Sequence, residues 1–347
     1  MNTADPSYTI SQCLVILDSN RGLGVPVVDG SGQLVGILTD GDIRRCLING
    51  GSLSDNCMVA ANAHYFYVQN KSEIKKEHHI TYAFIPVLDK GRKVVEFVTR
   101  SSPPIIDGDK VAGVIMAGGF GTRMQPLTNT IPKPLLDLHG TSLIERIIGR
   151  FAECGLSKIY ICVNYLAEKI MDKLGDGARW DVEIDYIVEI DPLGTGGGLG
   201  LIENCRHQTL IVTNGDIYTE LDFANLLQFH TDTRSELTMA AVQYSVSVPF
   251  GVIEAKDGLL CNLLEKPVYK YRCNSGIYAI EREILRLIPA SEYFDMTDLV
   301  YTVQQKSGMV AVYDMSDYWA DIGNVAELEK NRKMLDMLNR SRVPDAV

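Results

Sequence analysis

VAGVIMAGGFGTRMQPLTNTIPKPL, residues 111–135, is the stretch from which the rest of the chain can be read. Its apolar opening, Val111 to Ala117, is the pattern of a parallel strand buried on both faces. Gly118-Gly119-Phe120-Gly121 follows. Three glycines in four positions let the backbone turn sharply after the strand and bring its N–H groups close to a ligand, usually an anion. Arg123 comes next, and ten residues on Lys133 stands between Pro132 and Pro134. The two prolines disfavour helix and stiffen the segment, so the ammonium is expected on a fixed arm. An arginine and a lysine aimed at one glycine loop indicate a polyphosphate site. Two familiar phosphate loops are excluded. Gly121 is followed by Thr122-Arg123 rather than Lys-Ser/Thr, and the third glycine of a dinucleotide fingerprint is replaced by Met124.

The 347 residues are enough for one large domain or two, and 46% hydrophobic content supports a substantial core. A net charge of −11 argues against a general nucleic-acid binder, which needs a basic footprint. An anionic substrate must then be held by a local cluster of cations. The first residues, MNTADPSYTISQ, carry neither a basic segment nor a long apolar run, and no stretch has the apolar length of a membrane span. Eight scattered cysteines without a CxxC pair are expected to be free thiols, as in a reducing cytoplasm.

Upstream lies an internal repeat. VPVVDGSGQLVGILT (25–39) and IPVLDKGRKVVEFVT (85–99) align without gaps at an offset of 60, each reading as strand, Asp/Gly turn, strand. A helix is expected from Asp42 to about Asn49. These units resemble the CBS repeat, which works in tandem and often binds adenine nucleotides. Thr39 and Asp42 match that family's Thr-x-x-Asp ribose pattern, and the resemblance implies a regulatory nucleotide there. The alternative is that the two residues only cap a helix. In the second unit Thr99 is kept, but Ser102-Pro103-Pro104 replaces the aspartate and cuts off the helix. A module over 1–103 and a second domain over 104–347 follow, joined by a short proline-stiffened linker at 101–109.

From Val111 onward strands and helices alternate. Ser142 to Glu145 reads as a capping box opening a helix with Leu143, Ile144, Ile147, Ile148 and Phe151 on one face. KIYICVN (158–164), DVEIDYIVE (181–189) and LIVTNGD (210–216) read as strands, Lys256-Asp257-Gly258 as a hairpin turn, and 324–340 as an amphipathic helix packing on the sheet or on a second subunit. The expected fold is α/β: a doubly wound mixed sheet, Rossmann-like, preceded by a small α+β pair of CBS units, with ligands at the strand C-termini.

The pattern GGxGTRMxPLT…PKPL resembles the signature of the sugar-nucleotide pyrophosphorylases, nucleotidyltransferases that join an NTP to a sugar-1-phosphate. The resemblance implies nucleotide contacts from Ala117, Gly118, Gly119, Gly121 and Thr122, and base contact from the Gly194-Thr195 loop. It implies Mg²⁺ on Asp216 and Asp321, and sugar-phosphate contacts from Gly251, Glu265, Lys266 and Asn274. Arg123, Lys133, Asp216 and Lys266 would carry catalysis. The glycine-rich loop and the CBS pairing look most like guanylyltransferases, so GTP and a mannose- or glucosamine-1-phosphate are favoured over UTP, dTTP or CTP chemistry. A homo-oligomer is expected; neither nucleic acid nor membrane is an expected partner. A glycosyltransferase consuming a nucleotide-sugar is the main alternative. It usually carries Asp-x-Asp, whereas Asn214-Gly215-Asp216 offers one aspartate.

Overall fold

A computed structural model describes residues 1–20, 22–74, 82, 84–99, 106–315 and 317–342. Helix α1 (Ile10–Ser19) leads into a hairpin of β1 (Val25–Val28) and β2 (Leu34–Leu38), then α2 (Asp40–Ile48). A second hairpin, β3 (Phe84–Leu88) with β4 (Val94–Thr99), repeats the first at the expected offset. Both carry a register shift at the same place, Val27/Val28 and Val87/Leu88. The repeats also clasp one another: Leu34 N donates to Arg92 O and Val94 N to Gly32 O, both at 3.2 Å, with donors and acceptors each 60 residues apart. The Ser102-Pro103-Pro104 segment lies outside the described residues.

The main sheet begins with β5 (Val111–Met116). Helix α3 (Leu143–Glu153) buries the five residues its pattern announces, opened by a capping box in which Glu145 accepts from the Ser142 N–H and hydroxyl. Then come β6 (Lys158–Val163), α4 (Ala167–Leu174), β7 (Glu183–Val188), β8 (Thr209–Asn214), β9 (Ile217–Thr219), α5 (Phe223–Thr233) and β10 (Leu237–Ser247). A hairpin of β11 (Val252–Lys256) and β12 (Leu259–Leu264) turns through Asp257-Gly258. Strand β13 (Val268–Glu281), α6 (Met296–Gln305), β14 (Val310–Met315), β15 (Trp319–Asp321) and α7 (Val325–Arg342) complete the chain. The seven-stranded sheet has the order β14-β10-β13-β8-β5-β6-β7. Strand β13 runs antiparallel to both neighbours and the other pairings are parallel, so the sheet is mixed. The chain leaves β5 toward β6 and β7, then returns to β5's other side as β8. The switch point therefore lies at the carboxyl ends of β5 and β8, where α/β sheets bind ligands.

Two layers cover the sheet. Ile147, Ile148, Phe151, Ile170 and Phe223 pack on one face; Leu199, Ile284, Leu299 and Val303 pack on the other. A third core joins the N-terminal module to the second domain: Ile10, Leu17, Ile43 and Leu47 bury together with Met124, Leu138, Tyr218, Leu328, Met334 and Leu335. Helix α7 thus sits between the two modules, with Asn331 at 0% exposure, rather than on the sheet alone. The β11–β12 hairpin behaves differently. Ile253, Leu259, Leu260 and Leu263 are exposed, with Phe250 beside them 73% exposed. A two-stranded ribbon of this kind is marginal in water by itself.

Candidate active site

Where β5 ends, Gly121 adopts φ +62 and opens a short 3-10 turn, Thr122–Met124, that aims Arg123 inward. An added Cβ at Gly121 would stand 3.0 Å from Thr128 Cγ2 and 3.1 Å from Lys133 Cβ, so only glycine lets the loop and the lysine arm approach. The arm itself is a short 3-10 turn, Lys133–Leu135, where only a stiff, non-helical segment is expected from the sequence. The prolines exclude a longer helix, and one tight turn with Pro134 at its second position is still compatible. Lys133 is only 7% exposed, and its ammonium sits on the Asp216 carboxylate.

These elements enclose a cavity of about 340 Å³ lined by Ala117, Gly118, Gly119, Gly121, Thr122, Arg123, Lys133, Gly194, Thr195 and Asp216. Ten residues named from the sequence thus converge on one site. The opposite wall is the Gly194-Thr195 loop, held from 100 residues away: Thr195 N and Oγ1 each donate to Asp295 Oδ1 at 2.9 Å. Met296 N donates to Thr195 Oγ1 at 3.0 Å, and Gly196 N to Phe294 O at 2.9 Å. The loop runs on into a short 3-10 turn, Gly197–Leu201. Nothing in local spacing announces Asp295; its only sequence signal is a helix-capping pattern before Asp298.

Glu189 also lines the cavity and is buried. Burial pushes its carboxyl up, partly offset by the Leu193 N–H donating to Oε2 at 3.2 Å. Oε1 receives no hydrogen bond among the described residues. Gly198 makes room for it, since a Cβ there would stand 2.5 Å from Oε1.

Asp216 lines the cavity, whereas Asp321 does not and stands at its margin beside Gly323, at the end of a two-stranded ribbon. Strand β9 pairs antiparallel with β15, matching Asp321 with Ile217, and Ile322 N donates to Asp216 O at 3.1 Å. Lost hydration on its protein-facing side, and then the facing Asp216 carboxylate, hold Asp321 above the usual carboxylate range against the pull of Lys133 and Arg123. Among the described residues no group of three or more His, Cys, Asp or Glu gathers for a metal. Two facing carboxylates beside a phosphate-sized cavity still fit a divalent cation such as Mg²⁺, which takes one or two protein carboxylates and fills the rest with phosphate oxygens and water.

The four sugar-side residues do not line this cavity. Gly251 and Glu265 face each other at the root of the β11–β12 hairpin, where a Cβ on Gly251 would be 3.1 Å from Glu265 Oε2. Lys266 is exposed, with φ +45, a left-handed backbone that costs an ordinary residue about 1–3 kcal/mol and collects at functional sites. Asn274 donates to the Tyr278 hydroxyl at 2.6 Å and accepts from Gly276 N at 3.0 Å. Gly276, at φ +73, lies against Asn214, which does line the cavity. The sugar-side group therefore adjoins the cavity across Asn214 and Gly276.

In the N-terminal module, Thr39 and Asp42 cap α2. The Asp42 carboxylate accepts from the Thr39 N–H at 2.9 Å and hydroxyl at 2.6 Å, and pairs with Arg45 at 2.7 Å. Both also line a cavity of about 840 Å³ between the module and the sheet edge, walled on the far side by Lys270, Tyr271 and Arg272 of β13 and Asp314 of β14. All eight cysteines are free thiols. No described helix is long and apolar enough to cross a membrane.

The profile of the nucleotidyl transferase family matches residues 112–336, and that of the CBS domain matches residues 1–49. The chain is 31% identical over 221 residues to a mannose-1-phosphate guanylyltransferase of Mycobacterium tuberculosis, covering 62% of this chain and 61% of that protein. It is 32% identical over 219 residues to the mannose-1-phosphate guanyltransferase of Yarrowia lipolytica, covering 61% and 60%. The chain thus spans about 60% of the length of the curated relatives it matches. Among solved structures it resembles HddC from Yersinia pseudotuberculosis, with a TM-score of 0.52, 27% identity, and coverage of 65% of this chain and 99% of that one. HddC has also been solved with GMP-PN, at a TM-score of 0.51 and 26% identity over 65% of this chain and 99% of that one.

Proposed function

The chain belongs to the nucleotidyl transferase family, and from that premise we propose that it transfers a nucleotidyl group from an NTP to a hexose-1-phosphate, releasing pyrophosphate. A phosphate oxygen of the sugar-1-phosphate attacks the α-phosphorus in line. The new P–O bond forms as the bond to the β-phosphate bridging oxygen breaks. No protein nucleophile is needed, because the substrate already is one, and catalysis reduces to positioning and charge stabilisation. The observation that carries this reading is the meeting of Arg123, Lys133 and Asp216 in one cavity at the switch point of an otherwise acidic protein.

In this reading Arg123 holds the triphosphate and the leaving pyrophosphate, Lys133 the α-phosphate, and Lys266 the attacking phosphate. Backbone N–H groups of the Gly118–Thr122 loop cradle the phosphates. Gly251, Glu265 and Asn274 bind the sugar hydroxyls. Asp216 and Asp321 would hold Mg²⁺, which when bound neutralises charge on the reacting phosphates. Lys133 resting on Asp216 fits a poised site: each keeps the other's charge compensated until substrate arrives.

GTP is favoured. Glu189 sets a buried carboxylate in the cavity wall, and guanine is the one base of the four that presents two adjacent N–H donors, N1–H and N2–H, for a carboxylate to accept. The guanylyltransferases among the relatives support the same choice. Mannose-1-phosphate or glucosamine-1-phosphate is the favoured acceptor. The module cavity beside Thr39 and Asp42 is proposed to take a regulatory nucleotide, which must displace the Asp42 cap to be held. A melting-temperature rise of the full chain with AMP, ATP or GTP, absent in Thr39→Ala, would support it; the full chain is required because the modules share a buried core. The apolar β11–β12 arm is proposed to be covered by a second copy, so light scattering should report a dimer or larger, and a monomer would refute it. The reaction itself is tested by pyrophosphate release across NTPs and hexose-1-phosphates.

A further inference from the structure

The N-terminal module sends one buried arginine to the ribbon that carries Asp216 and Asp321, and we propose that Arg44 is a positioning residue of the transfer site, holding the two aspartates in register for a divalent cation. This rests on the function proposed above. Arg44 lies on α2 and is 7% exposed. Its Nη1 donates to the Tyr218 hydroxyl at 2.6 Å, its Nη2 lies 3.2 Å from Glu220 Oε1, and its Nε donates to Asp40. The Tyr218 hydroxyl in turn donates to Glu220 Oε1 at 2.8 Å. The guanidinium carbon stands 5.9 Å from the Tyr218 ring centroid and 5.8 Å from that of Tyr318.

These partners flank both strands of the ribbon. Tyr218 is in β9, two residues past Asp216; Tyr318 immediately precedes β15, three residues before Asp321. The ribbon has three residues per strand. Its ladder ends in Ile322 N to Asp216 O at the aspartate end, and Glu220 N to Tyr318 O, 2.9 Å, at the other. So short a pair has little rigidity of its own. A planar guanidinium that bonds one strand and lies close to an aromatic ring at the end of each can fix the strands against each other. A buried charge is a poor source of stability, which leaves positioning as the better reason for its place.

Groups that orient metal ligands from behind commonly change metal affinity or activity by about 10–100-fold. The test compares full-length protein with Arg44→Met, Arg44→Lys, Tyr218→Phe and the core variant Phe151→Leu. Mn²⁺ binding is read by electron paramagnetic resonance with a non-hydrolysable GTP analogue present, alongside kcat, NTP KM and melting temperature. Arg44→Met should weaken Mn²⁺ binding and lower kcat by about tenfold or more, with NTP KM near wild type. Arg44→Lys should recover part of this, and Phe151→Leu should lower the melting temperature while keeping Mn²⁺ affinity. Wild-type Mn²⁺ affinity in folded Arg44→Met, or an equal loss in Phe151→Leu, overturns the proposal. Should Arg44→Met not fold, Tyr218→Phe decides, and unchanged Mn²⁺ affinity there overturns it. If wild type releases no pyrophosphate the proposed function fails, while the Mn²⁺ comparison still judges Arg44.

Discussion

Gly194→Ala is the sharpest probe of the nucleotide loop. Gly194 has φ +84, where an alanine is disfavoured by about 1–2 kcal/mol. Its new Cβ would lie 2.8 Å from Phe294 O and 2.9 Å from Asp295 Oδ1, with Phe294 C at 3.2 Å. The first and third are backbone and cannot swing away. Relief must push the loop off the 294–296 segment, loosening the Thr195–Asp295 and Gly196–Phe294 hydrogen bonds, each worth about 1 kcal/mol. Restoring the binding-competent loop then costs about 3 kcal/mol, the dihedral strain plus about half the worth of the three loosened hydrogen bonds. With 1.4 kcal/mol per tenfold, the NTP KM should rise about 100-fold. Steady-state pyrophosphate release reads this, with the hexose-1-phosphate KM near wild type. Gly140→Ala is the control: its φ is +80 but nothing lies within 4 Å of the added Cβ, so it carries the dihedral strain alone. An NTP KM within threefold of wild type in folded Gly194→Ala would refute the reasoning.

Asp216→Asn and Lys266→Ala should each lower kcat by about 10²–10³-fold with unchanged circular dichroism, as for loss of one charge contact to a transition state; near-normal turnover in either would remove that residue from its role. The Asp321 pair gives a pH signature in metal-free protein. Asp321's folded pKa is raised, so the fold binds more protons there than the unfolded chain, and its contribution to stability is lost as pH rises from the ordinary aspartate pKa through the raised one. Asp321→Asn should therefore melt higher than wild type at pH 7, modestly because the side chain is solvent-open, with the gap closing toward pH 4; a lower melting temperature at pH 7 would contradict the shift.

The parts of the site that follow from local rules were legible. A strand followed by glycines, a proline-flanked lysine and a carboxylate ending a buried strand each state their chemistry within a few residues. Arg123, Lys133 and Asp216 therefore meet as expected from their motifs. The capping box at Ser142 and the apolar stripe behind it, and the Asp257-Gly258 turn, are local in the same sense. What escaped depends on long-range assembly. Asp295 buttresses a loop 100 residues away, and Arg44 reaches Tyr218 across 174 residues. Glu189 opens the glycine-loop stretch but reads there as one charge among several; only the fold buries it against Gly118 and Gly198. The C-terminal helix shows amphipathic spacing, and that spacing does not say which neighbour covers it. Thr39 and Asp42 carry two meanings at once, since the same pair that could hold a ribose also closes a helix cap.

The most direct measurement is pyrophosphate release by the full chain with Mg²⁺, each of four NTPs, and mannose- or glucosamine-1-phosphate. The account predicts release that requires both substrates, is fastest with GTP, and yields the matching GDP-sugar. No release with any pair, or transfer of sugar from a nucleotide-sugar without pyrophosphate, would contradict it.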